Sequence, residues 1–391
     1  MVKYLYFLWI AKSFFLYHLI APNLSFAQVI SDTSVLTNVI TPDNLNFNIT
    51  GGIQVGDNLF QSFSEFSIPE GGTASFENSP NVQNIISRVT GNSMSAIDGL
   101  IQTQGSTSLF LINPNGIVFG PQAKLAIGGS FLASTADSLQ FMDGSVFSAT
   151  EPEVQPLLTM SVPIGLQFGE MPGAIVNRSQ ATVDFMGSEV SVGLQVESDQ
   201  TLALVGGDVS VEGGILSSLG GNVEIGSVAG SSLVSLMPVS EGLALGFEDV
   251  QSFQDIQLSQ AIIDTSSLET SGAIRLRGRQ ITIADGSDLF SLNIGDNPGG
   301  DLVIQATESV EIASSVLSTT TFSDGAAGDI IIQTREFIVG ETALIIATTE
   351  GNGPGGQIVV DASESVQIGD DGQFTQLATQ SAPGATGSAG D

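Results

Sequence analysis

Cysteine is absent from all 391 residues, so neither a disulfide nor a thiolate nucleophile is available to this chain. There is one histidine, His18, and one tryptophan, Trp9, and the three tyrosines are Tyr4, Tyr6 and Tyr17. All of these lie in an opening stretch that reads as a Sec-type signal peptide. Lys3 supplies its charged start, Tyr4 to Ile20 its apolar stretch, and Ser25-Phe26-Ala27 a small-residue cleavage site ahead of Gln28. The stretch is broken only by Lys12, Ser13 and His18, and Pro22 with the cleavage pattern favours removal over a retained membrane anchor. The mature chain from Gln28 is therefore expected to contain no His, Cys, Trp or Tyr. That excludes Ser-His and Cys-His nucleophile systems and zinc sites built from His and Cys.

Positive charge is scarce as well. Nine Lys and Arg stand against 41 Asp and Glu, a formal charge of −32, and loss of Lys3 and Lys12 takes it to −34 with Lys124 as the sole lysine. So acidic a surface repels nucleic acid and anionic lipid, and no nucleic-acid partner is expected. Oxygen-ligand metals such as calcium remain chemically open. The residues to consider are Asp285 with Asp288, Asp296, Asp324, and Asp370 with Asp371, but none follows an EF-hand or calcium nonapeptide pattern, and Asp-Gly pairs form turns. Gly351, Gly353 and Gly356 formally satisfy G-x-G-x-x-G, yet a strand rather than a helix is expected to follow at Ile358. No metal and no cofactor is expected.

What the chain has is glycine and β-branched residues in a repeat. Gly272, Gly300, Gly328 and Gly356 are spaced 28 apart. Two positions after each come Ile274, Leu302, Ile330 and Ile358, and two further on Leu276, Ile304, Ile332 and Val360, the alternation of a strand with one buried face. A second strand is read at Ile281 with Ile283, at Val310 with Ile312, at Ile338 with Gly340 in place of the next apolar residue, and at Val366 with Ile368. Stretches such as Gly295-Asp296-Asn297-Pro298-Gly299 are turns between units. One such unit has too little apolar surface to fold alone, so the units must stack, each burying its Ile, Val and Leu on the last. An all-β solenoid, a parallel β-helix, is expected over a propeller or a sandwich.

Asn113-Pro114-Asn115-Gly116 sits between two apolar runs, Leu109-Phe110-Leu111-Ile112 and Ile117-Val118-Phe119. Asn first, Pro second and Gly fourth is the order a type I β-turn prefers. Upstream lie Asn48-Ile49-Thr50-Gly51-Gly52, Asn58-Leu59-Phe60-Gln61-Ser62-Phe63-Ser64-Glu65-Phe66, Ile85-Ile86-Ser87-Arg88-Val89-Thr90-Gly91 and Ile97-Asp98-Gly99. Together these motifs resemble the amino-terminal secretion (haemagglutination activity) domain of filamentous haemagglutinin-like exoproteins, the exported members of two-partner secretion systems. The resemblance is dense over residues 28 to about 150. Ser161 to Gly169 and Leu202 to Asp208 look like the extension that follows in many relatives.

The resemblance implies a right-handed parallel β-helix recognised in the periplasm by a partner outer-membrane transporter, an export address and not an active site. It implies that Asn113, Pro114, Asn115 and Gly116 form a secretion motif. It also implies a product secreted or held at the surface of a Gram-negative cell through Sec and the outer membrane, acting as an adhesive rod on a surface glycan or cell receptor. Absence of cysteine suits a chain that threads a pore while largely unfolded.

The expected organisation is a signal peptide over 1–27, the secretion domain over 28–150, an irregular connecting region with a loop or hairpin over 151–200, marked by Glu151-Pro152-Glu153, Pro156, Pro163 and Pro172, and β-helix repeats over 201–391. Gly390-Asp391 repeats the opening of the units at Gly300 and Gly328, from which a truncated array is expected. Two other function classes compete. A glycan-active β-helix enzyme would need converging carboxylates and a base drawn from Arg88, Lys124, Arg178, Arg335 or the trio Arg275, Arg277 and Arg279, and no carboxylate pair stands out by spacing. The trio alternates on one strand face, where pairing with acidic residues of adjacent coils is expected. A contact-dependent toxin-delivery protein would need a catalytic domain that these residues do not contain. No enzymatic activity is expected.

Overall fold

The computed structural model describes residues 28–391 apart from 153–157, 240–241, 341 and 370–373. The expected signal peptide, with Ala27 at its end, lies outside the described residues, as do Glu153, Pro156, Asp370 and Asp371; Gln28 is the first described residue.

Among the described residues all regular structure is strand, wound as a right-handed parallel β-helix with three faces. One face stacks Asn58–Phe66, Asn84–Val89, Ser108–Ile112, Phe131–Ser134, Leu202–Gly206 and Val223–Ser227 in parallel. A second stacks Ser95–Ile97, Ile117–Phe119, Ile175–Asn177, Val209–Glu212 and Ile256–Ser259. The two merge in the long strands Ile274–Ala284, Leu302–Ala313, Ile330–Gly340 and Ile358–Ile368, because the start of Ile274–Ala284 pairs with the first face and its end with the second. The third face runs from Asn46–Gly51 to Lys124–Ala126 in one sheet and from Leu194–Gln195 to Gln376–Ser381 in another.

The 28-residue period is one turn of this helix. Ile274, Leu302, Ile330 and Ile358 are direct partners across successive rungs, and so are Leu276, Ile304, Ile332 and Val360. Each inward Leu, Ile or Val contributes roughly 1.5–3 kcal/mol, largely offset by ordering entropy, so the rungs hold only as a stack. The regular spacing of glycine has a steric cause. A Cβ on Gly328 would lie 1.9 Å from the Gly300 carbonyl oxygen, and one on Gly356 1.9 Å from that of Gly328.

One expected position is wrong. In the third repeat Phe337 and Val339, not Ile338 and Gly340, pair with Val310 and Ile312 and point inward. The ladder shifts between Gln305 and Ser309 at this corner, so the third repeat turns with one residue fewer, and a one-residue slip in a strand exchanges its faces.

Two additions complete the fold. Val29–Ser31 and Ile53–Val55 pair antiparallel with Asn58–Phe66, and Thr37–Ile40 pairs antiparallel with Asn46–Gly51, which closes the amino-terminal end against further strand pairing. The chain also leaves the helix to build an antiparallel sheet of Val146–Ser148, Ser138–Phe141, Pro163–Gln167, Leu233–Val239 and Gly242–Gly246. This sheet lies on the outside of the first face and makes a second core, in which Phe60 meets Phe147 with ring centroids 5.1 Å apart. The continuous apolar run Leu109–Ile112 follows from it. Leu109 and Leu111 enter the helix interior, while Phe110 and Ile112 enter the second core. A separate hairpin, Thr182–Phe185 with Ser188–Ser191, stands off the helix.

Candidate functional site

Asn113-Pro114-Asn115-Gly116 forms the corner between Ser108–Ile112 on the first face and Ile117–Phe119 on the second. Gly116 N donates to Asn113 O at 3.1 Å, closing the turn, and Asn115 N donates to Asn113 Oδ1 at 3.0 Å, the Asx bond expected of Asn at a turn's first position. Gly116 adopts φ 117°, a left-handed value that a side chain would resist.

The same groups tie three coils together. Asn113 is fully buried, and its Nδ2 donates to Ser93 O and to Ser95 Oγ, both at 3.0 Å, on the coil before. Asn115 Nδ2 reaches the same coil at Gly91 O, 2.8 Å away, though Asn115 itself is exposed. On the coil after, Gly173 N donates to Pro114 O at 3.0 Å, and Ile117 N donates to Ala174 O at 3.0 Å. The approach is close enough that a Cβ on Gly173 would lie 2.5 Å from Gly116 N. The exposed Met94 flanks the corner from the coil before, its Cβ 3.8 Å from where a Cβ on Gly116 would lie.

A buried charge network nearby escaped the sequence reading, which weighed Arg88 only as a candidate base. Arg88 is fully buried. Its Nε donates to Ser62 Oγ and its Nη2 to Ser34 Oγ, each at 2.9 Å, its Nη1 donates to Ser148 O, and its guanidinium lies 4.2 Å from the Phe147 ring centre. Asp32 accepts from Ser62 Oγ at 2.6 Å and Thr90 Oγ1 at 2.8 Å. Burial pushes the Asp32 carboxyl up, but bonds from Ser34, Ser62 and Thr90 outweigh it and hold the group below its ordinary value. Burial pulls the Arg88 guanidinium down, against the charge of Asp32. One arginine thus joins the amino-terminal cap, the first coil and the outer sheet. The available signal was a charged residue inside the apolar run Ile85 to Val89.

The other sequence candidates are dispersed. Arg275 pairs with Glu224 at 2.9 Å, Arg279 with Asp255 at 2.8 Å and Glu308 at 2.9 Å, while Arg277 lies 4.7 Å from the centre of the Phe253 ring. Arg178 and Arg335 pair with Glu212 and Glu364, and Lys124 Nζ donates to Thr182 O. Asp285 accepts from Ser259, Asp296 from Ser323 and Asp324 from Asn352. Among the described residues no three His, Cys, Asp or Glu side chains converge as a metal would require.

The chain is thus a capped parallel β-helix with a sheet laid on one outer face and an Asn-Pro-Asn-Gly corner that links successive coils. The TPS secretion domain family model matches residues 27–276, more than half of the chain, and the chain belongs to that family, whose members are two-partner secretion exoproteins. Among solved structures it is similar to the HMW1 secretion domain from Haemophilus influenzae, at 17% identity and a TM-score of 0.50, covering 93% of this chain and 99% of that one. A filamentous hemagglutinin secretion domain matches at 16% identity and a TM-score of 0.33, covering 88% and 99%. No curated protein sequence matches the chain significantly.

Proposed function

We propose that this protein is carried across the outer membrane by a partner transporter whose periplasmic domains read the corner at Asn113 to Gly116 within residues 28–150, after Sec export and cleavage between Ala27 and Gln28. The observation that carries the reading is the division of labour between the two asparagines. Asn113 is spent entirely on internal bonds, whereas Asn115 is exposed beside Pro114 on a corner held rigid from both sides. A shape so fixed is a surface a transporter can select. Each coil then templates the next by backbone pairing and apolar stacking, so folding outside the cell biases movement outward without ATP.

The exported coils act as an adhesive rod toward a surface glycan or cell receptor, and the protein is not an enzyme. The engagement of Arg275, Arg279 and Arg335 in ion pairs between coils supports this over a catalytic cleft. The test fuses residues 1–150 to an inert passenger and co-expresses it with the cognate transporter. Release of the passenger into the medium is expected; retention in the periplasm would move the address elsewhere.

A further inference from the structure

The corners that follow the third face differ in length. Leu194–Gln195, Ile215–Ser217, Ile262–Asp264 and Asp288–Asn293 stack in parallel, but residues 218–222 return to the first face by a short path while 265–273 and 294–301 loop farther out. A short corner beside long ones leaves a notch across the coils. It holds two adjoining cavities of about 510 and 450 Å³ that share Asp199 and Glu269.

We propose that this notch binds a peptide segment in which a lysine or arginine stands beside an aliphatic residue. The two shared carboxylates are exposed and have no hydrogen-bond or ion-pair partner among the described residues. Arg275 at one end is bonded to the buried Glu224, and Asp199, Glu269 and Asp301 outnumber it, so the local charge is negative. Among the described residues no three carboxylates come together as a metal would require, although Asp301 also lines the larger cavity, and the site suits an organic cation that brings its own hydrogens.

Beside the carboxylates, Leu219, Leu268 and Ile294 form an exposed aliphatic shelf, Leu268 being 77% exposed. That shelf suits a Leu, Ile or Val side chain, or the methylenes of the cationic residue itself. No aromatic ring lines either cavity to stack on a sugar, which favours a peptide over a glycan. Asn222, 7% exposed, lines the floor with its Oδ1 taken by Ala273 N, which leaves its Nδ2 to donate to a peptide carbonyl. The strongly negative chain also draws cationic segments toward the notch at long range.

The test measures fluorescence anisotropy of a labelled Gly-Leu-Lys-Leu-Lys-Gly peptide with the mature chain at physiological salt. Saturable binding is expected. The pair Asp199→Asn with Glu269→Gln, and separately Leu268→Ser, should each weaken it about tenfold. Glu65→Gln with Glu350→Gln removes the same charge elsewhere and should leave it unchanged. All these side chains are at least partly exposed, and unchanged thermal melts confirm that the variants fold. Equal weakening by both charge pairs would reduce the effect to bulk attraction and overturn the site. So would absence of saturation, or binding of a glucosamine oligomer in place of the peptide. None of these outcomes depends on export.

Discussion

Arg275 reaches one rung back to Glu224, with Nη1 2.9 Å from Oε1, and Glu224 is 2% exposed beneath it. Burial pushes the Glu224 carboxyl up to about 7, the charge and hydrogen bond of Arg275 only partly opposing the shift. The folded chain therefore keeps this proton to a higher pH than the unfolded chain, whose ordinary value is 4.5. Its contribution to stability is complete below 4.5 and is lost as pH rises toward 7. Glu224→Gln should remove that slope. The stability of the parent relative to this variant should fall by at most about 3 kcal/mol across the window, measured by urea unfolding at several pH values. A constant difference would show that the pair stays ionised throughout.

Gly328 and Gly340 belong to the same repeat and predict opposite outcomes. A Cβ at Gly328 meets backbone that cannot move without opening the stack, so Gly328→Ala should destabilise by about 1–3 kcal/mol. Nothing lies within 4 Å of a Cβ at Gly340, whose φ is not left-handed, so Gly340→Ala should be neutral or stabilising by about 0.5 kcal/mol. Thermal melts of the two variants decide it.

At the corner, Asn113→Ala removes a buried amide and leaves Ser93 O and Ser95 Oγ without its bonds, at a cost of about 1–3 kcal/mol in the purified protein. Asn115→Ile is expected to reduce export more than stability, with synthesis unchanged. Comparison of the protein in medium and cells, beside melts of both variants, separates the roles. Parental export of Asn115→Ile would remove Asn115 from recognition.

Arg88→Met should cost about 3–5 kcal/mol, since it strands the Asp32 cluster and unties the outer sheet at Ser148. If the network acts as one unit, adding Asp32→Asn to that variant should cost much less than Asp32→Asn does alone. Additive losses in urea unfolding would mean that the two residues act separately.

The repeat from Gly272 onward was legible because its causes are local. Alternation marks the inward side chains, and glycine recurs where one corner touches the next. The same reasoning failed at Ile338, where a corner shortened by one residue exchanged the faces, and corner length carries no signal in an apolar alternation. The turn at Asn113 was readable from its residue order, but its ties to Gly91, Ser93 and Ser95 join positions that only winding brings together.

By itself the amino-acid sequence determined an all-β stacked solenoid, its 28-residue turn, the lack of His and Cys chemistry beyond residue 27, and a turn between Ile112 and Ile117. These depend on composition and on spacing between near neighbours. Tertiary structure alone decided that Phe60 meets Phe147, that Arg88 closes on Ser34 and Ser148, and that Asp199 and Glu269 share a notch. Each of those contacts spans an excursion from the helix or a difference in corner length, and where such segments land is settled by the packing of the whole stack.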